Sequence, residues 1–172
     1  MKDSICRDNV YMVRCGETAL KGRNKPYFER TLVKRIKQVL KDAGETDVER
    51  RDGLILVRAA DSASREEILS KVGLVFGVDS VSPALEMKIE GMEPEAVLSE
   101  LGNAAASYMS ALIEARGTKT FKVDAKRADK AFPILSPEIA RRVGGSILKS
   151  CSGLKVDVHS PECLLFVSVR RG

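Results

Sequence analysis

The chain has 172 residues, 44% apolar and 31% charged, with a formal net charge of +5, one His, four Cys and no Trp. That balance fits one or two globular domains with real cores and excludes a disordered chain. It also excludes a membrane-spanning one, since no segment approaches the ~20 apolar residues a span needs.

In chain order, Val10 to Arg14 predicts a short strand ending at Gly16. Asn24 can cap a helix with Pro26 in its first turn. Phe28, Leu32, Ile36, Val39 and Leu40 continue that helix at 3.6-residue spacing, and Gly44 supplies the stop. Asp47–Arg50 and Leu54–Arg58 flank Asp52-Gly53, a hairpin signal because Gly tolerates positive φ. Ser64-Arg65-Glu66-Glu67 is a capping box that opens a second helix, and Leu74 to Val81 predicts a strand running to Pro83. The order β-α-β-β-α-β is the ferredoxin-like split pattern, assigned to residues 1–83.

Composition restarts at residue 84. Ala84 to Ile89 reads as extended, and Pro94 begins an Ala-rich helix that Gly117 ends. Lys119 to Ala125 alternates, with Phe121 and Val123 on the buried face. Ser136-Pro137 reads as a cap and first-turn proline of a helix reaching about Ser150. Leu154–Val158 and Cys163–Val169 predict a last pair of strands around His159-Ser160-Pro161-Glu162. Residues 84–172 thus form a second domain, and the fold class is α+β twice over.

The net charge is strongly segregated. Residues 1–43 hold 11 Lys/Arg against 5 Asp/Glu, residues 44–118 hold 7 against 14, and residues 119–149 hold 8 against 3. Two basic blocks on a small protein suit an extended polyanion, because each neutralised phosphate releases counterions. Three features carry the charge. Arg30, Lys34, Lys37 and Lys41 recur at i, i+4, i+7 and i+11 on one helix face. Lys21, Arg23 and Lys25 crowd a glycine-bearing loop ahead of that helix. Lys122, Lys126, Arg127 and Lys130 precede a helix N-terminus with Arg141 and Arg142 one turn inside, so loop and helix cations can converge on a phosphate. Asp124 and Asp129 offer the alternative of a locally neutralised turn. Gly144-Gly145 inside that helix reads as tight packing on the sheet, with close approach of a ligand backbone as the second reading.

Catalytic constellations are absent: there is neither a Ser-Gly-Gly-x-Asp-Ser loop for ATP nor a Walker-type loop. Cys6, Cys15, Cys151 and Cys163 form no Cys-x-x-Cys pair, and one His with scattered Cys makes no zinc site, so no metal is expected. With no apolar leader after Met1, reduced thiols and a cytoplasmic location follow.

Val13-Arg14-Cys15-Gly16-Glu17-Thr18-Ala19-Leu20-Lys21-Gly22-Arg23-Asn24, with Phe28-Glu29-Arg30, resembles the opening of the tRNA sulfurtransferase family that makes 4-thiouridine and is linked to thiamine thiazole synthesis. The run Phe121 to Pro133, with Ser136-Pro137-Glu138-Ile139-Ala140, Val143-Gly144, Val156-Asp157-Val158 and Pro161, resembles a THUMP domain. THUMP domains are shared among thiouridine synthases, RNA methyltransferases, deaminases and pseudouridine synthases; the Gly-Glu-x-Ala-Leu-Lys-Gly-x-Asn opening is more selective.

The resemblance implies an RNA-binding half that grips the acceptor stem and 3′ CCA end of tRNA. A following domain adenylates the uridine at tRNA position 8 with ATP and delivers sulfur from a persulfide, itself supplied through a cysteine desulfurase. Family members often dimerise. On this chain the resemblance supports Lys21, Arg23 and Lys25 at one site and Lys126, Arg127 and Lys130 at another; the reading further expects these cations to face one way as a single track. The ATP-binding catalytic domain is not in this sequence, so no cofactor and no chemistry are expected of this chain alone. The rival readings are an RNA-binding partner of another tRNA-modifying enzyme, a cysteine-based sulfur carrier, and a protein-docking role for the acidic middle block.

Overall fold

A computed structural model describes residues 6–16, 25–51 and 53–170. The chain divides between Lys88 and Ile89. In the first unit, β1 (Cys6–Cys15) places Tyr11 and Val13 inward, on the face that both helices cover. Helix α1 (Lys25–Val39) buries Leu32 and Ile36 there, and Leu40 follows just past its end. Strands β2 (Thr46–Arg51) and β3 (Leu54–Ala59) pair antiparallel across Gly53, whose φ of 80° supplies the turn. Helix α2 (Arg65–Gly73) is capped by Ser64, whose hydroxyl accepts the Glu67 N–H at 3.4 Å, as the capping box predicts. Strand β4 (Val78–Met87) completes an antiparallel sheet in the order β2-β3-β1-β4, the ferredoxin-like arrangement.

Two expectations for this unit need correction. Residues 74–77 form a turn and the strand starts only at Val78. Pro83 does not end the first unit either. It pairs with Tyr11 inside β4, an edge strand where a missing N–H is tolerated, so Ala84–Met87 belong to the first unit. The uncovered face of the sheet is closed over Arg58. Its guanidinium meets Glu86 at 2.6 and 2.7 Å, Glu49 at 2.8 Å and Asp47 at 3.3 Å. The acidic middle of the chain thereby neutralises a cation of its own.

In the second unit, α3 (Pro94–Arg116) ends where Gly117 turns left-handed at φ 67°. Strand β5 (Thr120–Arg127), helix α4 (Ser136–Ser150), the short β6 (Lys155–Val156) and β7 (Cys163–Val169) follow. The last two strands are not partners of each other. Both lie parallel to β5, in the order β6-β5-β7: α4 joins β5 to β6, and residues 157–162 carry the chain to the other side of β5. Phe121, Ile139, Val143, Ile147 and Met109 form the centre of this core.

The glycine expectation also shifts. A Cβ at Gly144 would meet Val123 only at 3.8 Å, and one at Gly145 would meet nothing within 4 Å. The close helix contact lies at Gly102 of α3, where a Cβ would come within 2.5 Å of the Ser146 hydroxyl of α4. Among the described residues no helix is long and apolar enough to cross a membrane.

Candidate nucleic-acid interface

Helix α1 separates its functions by face. Leu32 and Ile36 point into the core, and Glu29, 4% exposed, is held by the Arg50 guanidinium at 2.6 Å. Arg30, Lys34, Lys37 and Lys41, the last just beyond the helix, all face solvent, as their spacing predicts. Arg35, which the i, i+4 stripe omits, is exposed as well. None of these five cations forms an ion pair within the described residues. The one carboxylate in the helix, Glu29, is buried against Arg50, so among the described residues these exposed cations of α1 have no ion-pair partner. At 1.5 Å per residue, Arg30 to Lys41 span about 17 Å, long enough to follow several phosphates. Lys21 and Arg23 lie outside the described residues, and Lys25 is described only as the first residue of α1.

The cations of the second unit are divided between exposure and structural use. Lys126 pairs in register with Ser168, and Lys122 with Leu164, on the sheet face away from the helices. The Lys122 ammonium donates to the Val158 carbonyl at 3.4 Å, while Lys126 and Lys130 are exposed and make no ion pair within the described residues. Arg127 is a strut of the fold. Its backbone N–H donates to the Ser136 hydroxyl at 2.9 Å, and its guanidinium donates to the Phe132 carbonyl at 2.9 Å. Both bonds brace the loop that leads into α4. Ser136 is therefore not the cap; Leu135 takes that position with no side-chain bond.

Arg141 and Arg142 are already matched to carboxylates. Arg141 grips Glu138 through two bonds of 2.8 and 2.6 Å, and Arg142 reaches Glu95 of α3 through two of 3.0 and 2.5 Å. These bidentate hydrogen bonds hold the Glu138 and Glu95 carboxyls below their ordinary range and push both guanidinium groups up. Of the loop cations and helical arginines expected to converge on one phosphate, three already have partners within the protein. Arg127 serves the loop, Arg141 and Arg142 serve ion pairs, and Lys126 and Lys130 remain for a ligand.

The described cysteines differ in environment. Cys151 is buried and donates to the Ala106 carbonyl at 3.7 Å. Cys163 lies 3.8 Å from the Met109 sulfur, and burial pushes its thiol up against the opposing pull of Arg116. A sulfur carrier needs an accessible thiolate: Cys151 lacks the access, and burial disfavours the thiolate of the half-buried Cys163. Sequence reasoning missed Arg35 and two exposed aromatics, Tyr27 and Phe76. Arg35 was legible as one more cation on the same helix and Tyr27 as a residue off its apolar face, Phe76 only once the turn at 74–77 was in place.

The chain thus joins a ferredoxin-like unit with exposed cations along α1 to a second α+β unit in which Lys126 and Lys130 are exposed. Comparison with known proteins makes this specific. Residues 10–82 match the ThiI ferredoxin-like domain and residues 95–172 match the THUMP domain. A protein of Alkaliphilus metalliredigens (strain QYMF) described as a "probable tRNA sulfurtransferase" is 40% identical over 95% of this chain and 40% of its own length. A solved 4-thiouridine synthetase in complex with RNA and bound ATP superposes with a TM-score of 0.73 at 29% identity, over 95% of this chain and 39% of that one. PH1313 from Pyrococcus horikoshii Ot3 gives 0.77 at 28% identity, over 95% and 52%. The chain belongs to the tRNA sulfurtransferase family as its ferredoxin-like and THUMP region. It spans about 40% of the length of the curated relatives it matches.

Proposed function

We propose that this chain is the tRNA-binding part of a 4-thiouridine-forming sulfurtransferase, recognising the acceptor stem and 3′ CCA end. The observation that carries the reading is the likeness, over 95% of the chain, to a 4-thiouridine synthetase solved with RNA. The physical support is the set of exposed cations on α1, together with Lys126 and Lys130, that form no ion pair among the described residues. Because A-form grooves hide base edges, recognition is by backbone shape and by unpaired nucleotides rather than by duplex sequence. ATP, the persulfide sulfur and the cysteine desulfurase that supplies it belong in this reading to a catalytic domain or subunit working with this chain in the cytoplasm. A role in thiamine thiazole synthesis would run through the same sulfur supply.

The test compares intact tRNA with tRNA lacking its CCA end over a salt series. Tighter binding of intact tRNA, with affinity falling steeply as salt rises, is the expected result. Equal affinity for both, or no dependence on salt, overturns the reading.

A further inference from the structure

The chain contains five Phe and three Tyr. Tyr11, Phe121 and Phe132 are buried, while Phe28, Tyr108 and Phe166 are partly buried. The two that remain, Tyr27 at 69% and Phe76 at 83% exposure, both belong to the first unit, and one contact brings their segments together. Gly77 has a φ of 100°, and a Cβ there would lie 2.6 Å from Phe28 Cζ. The Phe28 ring therefore sits directly on the Gly77 backbone and fixes the first turn of α1 against the turn that leads into β4. Tyr27 and Phe76 are the immediate chain neighbours of that contact.

The turn itself explains the exposure. Val75 is drawn into the core and its N–H donates to the Val72 carbonyl at 3.1 Å, which leaves Leu74 and Phe76 on the outside, Leu74 at 87%. The aromatic pair thus stands at the N-terminal end of the helix whose outer face carries Arg30, Lys34, Arg35 and Lys37.

We propose that Tyr27 and Phe76 form a stacking platform for unpaired nucleobases of an RNA whose phosphates lie along α1. The proposal rests on the RNA-binding reading and adds to it a site and a ligand chemistry. Cations beside exposed aromatic faces are what single-stranded nucleic acid uses, since every base offers a π-face and every nucleotide a phosphate. A duplex would not serve, because its base faces are stacked on one another. Charge selects the occupant: an apolar tip alone would suit a protein, but this one adjoins exposed cations that form no ion pair among the described residues.

The test uses the whole chain with two RNAs: a blunt hairpin, and the same hairpin with an unpaired extension carrying 2-aminopurine. The wild-type protein is expected to quench 2-aminopurine and to bind the extended RNA more tightly. Tyr27→Ala with Phe76→Ala should weaken binding of the extended RNA about tenfold and abolish the quenching. Affinity for the blunt hairpin and the melting temperature should stay unchanged, since both side chains are exposed. Phe76→Tyr should keep the quenching and Phe76→Leu should lose it, which separates stacking from simple apolar contact.

Retention of quenching and affinity by the double alanine variant overturns the platform while leaving RNA binding in place. Failure of the wild-type protein to bind either RNA overturns the RNA-binding reading, and the platform with it. A change in sedimentation from dimer to monomer in Phe76→Ala, with RNA contacts intact, assigns the tip to self-association and also overturns the proposal.

Discussion

Neutralising half of the α1 stripe gives a prediction whose size follows from the geometry. Lys34 and Lys37 are exposed, without carboxylate partners among the described residues, and each is free to displace one counterion from a bound phosphate. Each such contact contributes about −0.9 to the slope of log K against log salt on a duplex, and about −0.7 on a single strand. Lys34→Gln with Lys37→Gln should therefore flatten the slope for tRNA by about 1.4 to 1.8. On the duplex figure the double variant binds about 30-fold more weakly at 0.15 M salt, and the two proteins converge near 1 M. Arg141→Gln supplies the contrast. Its charge is already held by Glu138, so its removal should leave the slope nearly unchanged. Fluorescence anisotropy with labelled tRNA from 0.05 to 0.5 M salt reads both variants. An unchanged slope in the lysine variant, or an equal change in Arg141→Gln, refutes the assignment of the phosphate track to α1.

Gly145→Ala should stabilise the protein by about 1 kcal/mol, because nothing lies within 4 Å of the added Cβ and alanine is the better helix former. Gly102→Ala should lower the melting temperature, since its Cβ would come within 2.5 Å of the Ser146 hydroxyl; thermal melts followed by circular dichroism check both. The Glu86 carboxyl is held below its ordinary range chiefly by the hydrogen bond from Arg58, against the opposing cost of burial. A depressed carboxylate contributes stability above the unfolded value near 4.5 and loses it as pH falls through the lower folded value. The wild-type protein should therefore lose denaturant resistance as pH drops below about 4.5, and Arg58→Met should show a weaker acid dependence at this step.

The legibility of the fold follows from which signals are local. The capping box at Ser64, the turn at Gly53 and the stop at Gly117 each depend on a few neighbouring residues, and each occurs where the sequence places it. Pro83 misleads because its meaning depends on the strand's place in the sheet: in a central strand it would break the ladder, whereas β4 lies at the edge. The last two strands mislead for the same reason, since adjacency in sequence suggests a hairpin, whereas residues 157–162 cross past β5 and leave one strand on each side of it. Ser136 before a proline has the sequence of a cap, yet its hydroxyl is taken by the Arg127 amide from nine residues away.

The candidate site shows the same division at the level of charge. A Lys or Arg in the sequence counts as +1 wherever it stands, but a phosphate responds only to charge that the protein has not already matched. Arg58 is matched by Glu86, Glu49 and Asp47, Arg142 by Glu95, and Arg141 by Glu138, and two of these three cations draw on carboxylates of the acidic middle block. That block therefore does more than separate two basic ones, because it determines which cations remain outward. On α1 the helix's only carboxylate is turned inward onto Arg50, and among the described residues Arg30, Lys34, Arg35 and Lys37 keep no ion-pair partner. Exchanging those two roles tests the principle directly. Thr31→Glu puts a carboxylate four residues ahead of Arg35 and three ahead of Lys34, within i, i+3 and i, i+4 reach of both. If unmatched charge is what binds, this substitution should weaken tRNA binding and reduce its salt slope although no cation has been removed. An unchanged affinity would refute the idea that partner-free cations on this helix govern the interaction.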